Sequence, residues 1–343
     1  MVPTANIAGL NLPARRSAIP EALRRAAVPA RLIGYACADW ACIFILWGLV
    51  SLSSVWLLPL AWLLIAGRLH ALGVVLHDAC HMHAKRRSAA TRVLEILAGY
   101  PIATTLAAMR YHHLRHHRFS GMRLDPYLKP GISSDRWRRN ARRTLGLLLV
   151  PLWILRCFYG SIALLVPSLR NSYGRWFLQD RSQRTLTRDP QVLDCLRSEP
   201  GQAVWFVMIA FILWIYPDIV ITYYLIPLLI AGALNVNRVI VEHEHVQCPD
   251  RRPESVLATT HTQKPGALGR AFLYPRNIGF HQVHHLYPAV ALECLPALDS
   301  YLRSAAGEAR PAGAEEPICN PSQQKKMPPA NEPSTSPASA STT

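Results

Sequence analysis

Residues 110–119 read Arg110-Tyr111-His112-His113-Leu114-Arg115-His116-His117-Arg118-Phe119. Four histidines fall within six residues, and three of them form the pattern H-x-x-H-H: His113, His116 and His117. On a helix, positions i, i+3 and i+4 share a face, so three imidazoles converge. Convergent neutral imidazoles are a natural cradle for a metal ion. The same geometry recurs twice. His77 and His81 are one helical turn apart, and His281, His284 and His285 repeat H-x-x-H-H. A lone histidine on an apolar face is ordinarily a hydrogen-bonded core residue. Two H-x-x-H-H copies, however, arise by chance in roughly a few of ten thousand chains of this composition.

Working outward, the chain is apolar. Half of its 343 residues are hydrophobic and 17% are charged, fewer charges than a soluble domain carries. The net charge is +16. Its arginines lie between apolar runs and not on one polar face, which argues for anionic lipid headgroups and against nucleic acid. The eight cysteines contain no C-x-x-C pair, which excludes a zinc ribbon and fits a reducing compartment. Residues 1–30 lack the apolar core of a cleavable signal peptide.

These features predict three parts: a basic cytosolic segment over 1–33, a membrane domain over 34–304, and a disordered Pro/Ser/Thr/Ala-rich tail over 305–343. Within the membrane domain, runs 35–50 and 55–76 are each near the ~20 residues that cross the hydrocarbon layer. The second run delivers His77 and His81 just past its apolar part, followed by Lys85, Arg86, Arg87 and Arg92, as cytosolic flanks should be. Parity then constrains the rest. Run 93–109 is short and broken by Gly99-Tyr100-Pro101. Were it to cross, the second histidine set would face the opposite side from the first, so it is expected to be re-entrant or interfacial. Runs 202–216 and 219–236, split at Pro217-Asp218, form an in-and-out hairpin. Run 144–169, interrupted by Arg156 and Pro167, is then interfacial or packed without a net crossing. The expected fold is an all-α, integral-membrane helical bundle of about four transmembrane helices with a histidine-rich cap. It is multi-pass, with the N-terminus and the histidine sets cytoplasmic.

Eight or nine histidines exceed what one ion binds, so two ions are expected. Imidazole alone suits zinc, copper, iron or nickel. Each ligand should pass its second ring N–H to a carboxylate or carbonyl, for which Asp78, Asp125, Glu242 and Glu244 are available.

The order His-x-x-x-His, His-x-x-His-His, a later Glu242-His243 after the last apolar run, and a final His-x-x-His-His resembles the membrane fatty acid desaturase superfamily, over about Gly34 to Pro296. That superfamily also includes alkane hydroxylases and carotenoid ketolases. The resemblance implies two iron ions, molecular oxygen as co-substrate, and oxidation of unactivated C–H bonds at the cytosolic end of a helical bundle. Carried over residue by residue, it implies His77, His81, His113, His116, His117, His281, His284 and His285 as ligands. His243 matches the isolated ligand between the second and third boxes. Asn277 stands where a polar residue holds a bound water. His112 offers a competing register with His116 and His117; His113 is preferred because its spacing keeps all three residues on one face. Asp78, His112, Asp125, Glu242 and Asn277 are thus the expected supporting residues. His70, His83 and His245 are expected at the surface or behind the ligands.

The resemblance further implies a lipid or acyl substrate and an external electron donor, a ferredoxin or b-type cytochrome. The arginines of 136–143 are either a lipid-facing patch or a docking face for an acidic donor. The expected reaction is introduction of a double bond into a fatty acyl chain. Hydroxylation or ketolation of a lipid, alkane or carotenoid at the same metal site is the alternative. A membrane metal-binding or transport protein is a rival of another class. It is disfavoured because transporters place ionisable ligands near the bilayer midplane, whereas these histidines lie past the apolar runs.

Overall fold

The computed structural model describes residues 4–304, apart from 8, 14, 53, 83–87 and 133. The predicted basic flank at Lys85, Arg86 and Arg87, His83, and the tail over 305–343 all lie outside the described residues. Among the described residues the regular elements are helices, apart from one N-terminal hairpin, Thr4–Ile7 paired antiparallel with Leu10–Pro13, and an isolated bridge between His243 and Thr260.

The first helix, Pro29–Ser51, opens on a proline at its first turn, where no backbone N–H is needed. It is 23 residues long, about 35 Å, enough to cross a bilayer. Leu32, Ala36 and Ile43 form its one buried stripe, while Phe44, Ile45 and Leu49 are exposed. Only 17% of its most apolar window is buried, so its large apolar surface needs lipid and not water around it. The second helix, Leu58–Cys80, packs on it and is buried from Ile65 onward along much of its length. Leu69, Leu72, Val75 and Leu76 join Leu94, Ala98, Ile102 and Leu228 in the main core.

The chain then dips and returns. Ala89–Leu94 continues through a wide turn and a tight turn to Ala103, whose left-handed φ of 61° reverses direction. The Trp40 indole donates to the Leu97 carbonyl at 2.7 Å, and the Tyr224 hydroxyl donates to the Pro101 carbonyl at 2.8 Å. Neighbouring spans thus satisfy the backbone this break leaves open. The histidine helix, Leu106–Phe119, brings His113 back within 3.0 Å of His81. The segment therefore makes no net crossing, as parity requires.

Among the described residues, five helices are long and apolar enough to cross a membrane, one more than the four runs read as crossings from sequence. The addition is Arg136–Leu165, which sequence reading broke at Arg156 and Pro167. Arg156 does not break it, because its guanidinium lies 2.9 Å from the Glu199 carboxylate and donates to Gln202 at 3.1 Å, all fully buried. Gly160 lets the helices approach; a Cβ there would stand 2.7 Å from Glu199 Cγ. Both ends of this helix are on the histidine side. Gly146 packs on Val236, near the end of Ile226–Glu242. At the other end Arg170 donates to the carbonyls of Ala163, Leu164 and Thr187, just before Pro190–Ile215 begins. The helix therefore lies obliquely and adds no net crossing.

Pro190–Ile215 and Pro217–Glu242 form the expected hairpin, turning at Tyr216. Its first helix starts twelve residues earlier than its apolar run, with Pro200 inside it. The last elements, His281–Leu286 and Leu295–Ser304, close the histidine side. The hairpin strand Leu10–Pro13 packs on Leu295–Ser304, and Leu10 and Ile19 are buried.

Candidate metal centre

The histidine helix is aligned by its N-terminus. Thr105 caps it, its hydroxyl accepting from Ala108 N–H at 3.1 Å, and the Glu95 carboxylate accepts from Leu106 N–H at 3.0 Å. Arg110 ties it to the end of the second helix, donating to the carbonyls of Cys80 and Ala79. These contacts present His113, His116 and His117 toward His77 and His81. His284 and His285 come from the short helix after Phe280, and His243 ends the Ile226–Glu242 helix as its first extended residue.

The rings fall into two adjoining groups. His77, His81, His113, His117 and His284 form the first; His116, His243 and His285 form the second. Within each group one ligand atom per residue lies within 4.8 Å of every other. His281 joins the second, with its Nε2 2.9 Å from His243 Nε2. The His117 and His285 rings, centroids 4.4 Å apart, connect the groups. All nine histidines singled out in the sequence are thus in one place.

His113 Nε2 lies 3.0 Å from both His81 Nε2 and His117 Nε2. An imidazole nitrogen carries one proton or one lone pair, so it completes only one of these contacts as a hydrogen bond. A shared cation needs no proton between them. Ligands at right angles on a cation at about 2.1 Å stand roughly 3.0 Å apart, whereas a tetrahedral pair stands roughly 3.4 Å apart. The observed spacing falls within the reach of ligands on one cation. Buried ring nitrogens without a partner include His77 Nδ1, His116 Nε2, His117 Nδ1, and both nitrogens of His284 and His285. So many orphaned lone pairs in one buried cluster would be costly unless a cation satisfied them. The residues therefore fit a pair of metal ions.

Electrostatics agree. Burial, and then mutual repulsion among the rings, holds His113, His117, His243, His281, His284 and His285 well below the ordinary histidine value. Burial and Arg110 push His81 down to about 3. These seven rings are held in the neutral form, the one that ligates.

Behind the rings the support is uneven. Asp125 Oδ1 lies 2.8 Å from His116 Nδ1, while its carboxylate also accepts from the N–H groups of Gly121 and Tyr127. Burial opposes its ionisation, but His116 and these donors outweigh it, so the carboxyl sits below its usual range. Gly121 is required here: its φ is +74°, and a Cβ would meet Cys248 Sγ at 3.2 Å. Glu242 is 3.6 Å from His281 Nδ1 and is held by Arg238 at 2.6 Å. Asp78 instead accepts from the Leu292 backbone N–H, beyond the third histidine set. Asn277 has a left-handed φ of 63°, and its carbonyl accepts from Phe280 N–H. His112 lies outside both groups, with its Nδ1 2.8 Å from the Tyr127 hydroxyl. His70 Nδ1 faces the Phe272 carbonyl at 3.0 Å, and Glu244 pairs with His261 at 3.0 Å.

Two neighbours escaped sequence reading. Tyr127 stacks on His116, centroids 4.3 Å apart, and Arg238 fixes Glu242. The first had a signal in the turn Asp125-Pro126-Tyr127, which folds back under the histidine helix. A cavity of about 150 Å³ runs beside the cluster, reaching His77, His113, His116, His243 and His281.

The sequence profile of the fatty acid desaturase family matches residues 54–313, which include all three histidine sets and His243. No curated protein matches the chain.

Proposed function

The chain belongs to the fatty acid desaturase family, and from that premise we propose that it is an oxygen-dependent, di-iron membrane oxidoreductase that introduces a double bond into a fatty acyl chain. Membership carries the coarser part, a multi-pass membrane oxidoreductase of the desaturase or hydroxylase kind with a metal-competent histidine cluster. One observation supports the finer part: two adjoining groups of imidazoles, several with buried partnerless ring nitrogens, meet a cavity that His77, His113, His116, His243 and His281 help to line.

In this reading His77, His81, His113, His117 and His284 hold one iron. His116, His243, His281 and His285 hold the other. The iron pair with dioxygen supplies the oxidising power for an unactivated C–H bond. The protein's own residues do the rest. Asp125 fixes the tautomer and orientation of His116, and Glu242, 3.6 Å from His281 Nδ1, places a carboxylate held by Arg238 beside that ring. Leu69, Ile102 and Leu228 form the apolar end of the cavity, which holds methylenes and excludes water. The chain position held against the histidines decides which carbons react. Removal of two hydrogens gives the double bond; hydroxylation is the nearest alternative outcome at the same site.

The histidine side is proposed to be cytosolic, since Arg118, Arg123, Arg136, Arg138, Arg139 and Arg143 gather near it. That surface would receive the electrons, from a ferredoxin or a b-type cytochrome.

The test is lipid profiling of a host expressing the chain, with and without a ferredoxin system, beside iron analysis of the purified protein. The expected result is a product two hydrogens lighter and two irons per chain. His116→Ala should lose one iron and all product. Full activity in that variant removes the metal assignment, and a product one oxygen heavier replaces desaturation with hydroxylation.

A further inference from the structure

The cavity beside the histidines has a third wall, neither apolar nor histidine. Lys129, Arg142 and Gln179 line it at the histidine-side end, opposite Leu69, Trp153 and Leu228. Lys129 Nζ donates to the Pro126 carbonyl at 3.0 Å and to Gln179 Oε1 at 3.2 Å, both neutral acceptors. Among the described residues, no carboxylate lies within ion-pairing distance of Lys129 or Arg142; the ion pairs found include neither. The nearest candidate acid, Asp125, is already engaged by His116, Gly121 and Tyr127. Arg238, the other cation of the cavity, is neutralised by Glu242. Two cationic groups thus face a confined space without counter-charge. Burial, then Arg181 and Arg142, push the Lys129 ammonium down to about 8, as expected of a cation lacking an anion. Gln179 is itself held in the left-handed region, φ 54°, where a non-glycine residue is strained; such strain gathers at binding sites.

We propose that Lys129, Arg142 and the Gln179 amide form a headgroup site for an oxyanion. On this view the cavity takes an amphiphile with a carboxylate or phosphate at one end and an aliphatic body beyond it. This deepens the proposed function and rests on it only for the ligand's fate. The anion sits among Lys129, Arg142 and Gln179, the aliphatic body runs toward Leu69 and Leu228, and the carbons between pass the histidines. A neutral alkane or a carotenoid would leave both half-buried cations without a counter-charge, which disfavours it.

Binding is read without turnover. The full chain, purified in neutral detergent, is titrated calorimetrically with decanoate, decyl phosphate, decanol and decane, and iron content and melting are measured in the same samples. Decanoate or decyl phosphate should bind at least about tenfold more tightly than decanol, the scale of a charge-assisted contact. The tighter of the two identifies the oxyanion. Lys129→Met and Arg142→Met should each weaken the anion about tenfold, leave decanol unchanged, and keep iron and melting temperature. Lys129→Arg should restore most of the loss. Equal binding of decanol and both anions overturns the inference, as does undiminished anion binding in folded Lys129→Met. Because iron is measured alongside, loss of anion selectivity with iron intact removes this inference alone, and loss of iron with selectivity intact removes the metal reading alone.

Discussion

At the scale of single residues, Asp125 shows how one histidine of the cluster is held. One carboxylate oxygen meets His116 Nδ1 and the Tyr127 N–H, and the other takes the Gly121 N–H. His116 is thereby fixed with Nε2 turned into the cluster, where it has no other partner. Asp125→Asn keeps the shape but removes the charge that strengthens ligand basicity. It should weaken iron binding about 10- to 100-fold, measured by chelator competition, with the helical content unchanged. Unchanged affinity would mean that Asp125 serves the turn alone. The choice of His113 over His112 was legible in the spacing, because i, i+3 and i+4 must share a face. The stacking of Tyr127 on His116 was not legible, since it depends on how the turn after the helix folds back.

At the scale of elements, the oblique helix Arg136–Leu165 is where charge and fold interact most. Arg156 and Glu199 are fully buried and in contact, with the Tyr173 hydroxyl donating to the same carboxylate at 2.5 Å. Removing one partner strands the other. Arg156→Met should therefore cost about 3–5 kcal/mol in thermal or denaturant unfolding, and Arg156→Met with Glu199→Met should cost clearly less than the sum of the two. Additive losses would show that the pair does not join the two helices energetically. From sequence, Arg156 looked like a break in an apolar run. Its partner lies 43 positions away on another helix, beyond what any local pattern reports. The re-entrant segment was legible, because parity and Gly99-Tyr100-Pro101 both pointed to it. Its depth, set by Trp40 and Tyr224, was not.

At the scale of the whole molecule, the cluster couples metal, protons and stability. Burial keeps the rings of His81, His113, His117, His243, His281, His284 and His285 below their free value of 6.5. Below that pH the unfolded chain binds more protons than the folded one, so stability falls as pH falls. Metal-free protein should therefore melt at progressively lower temperature from pH 7 to pH 5. The slope is bounded by about 1.4 kcal/mol per pH unit for each such ring. Iron-loaded protein should melt higher at every pH, because the ions bind only the folded arrangement. Equal melting curves with and without chelator would rule out ions bridging the distant segments.

The sequence by itself determined the class of fold and the identity of the nine histidines. Apolar runs of bilayer length and one-face spacings are local properties, and local physics reads them. Which rings gather in which group, that a fifth long helix has both ends on the histidine side, and that two cations face the cavity without a counter-charge were decided only in three dimensions. Each depends on side chains from segments tens to hundreds of residues apart, brought together by packing that no single stretch encodes.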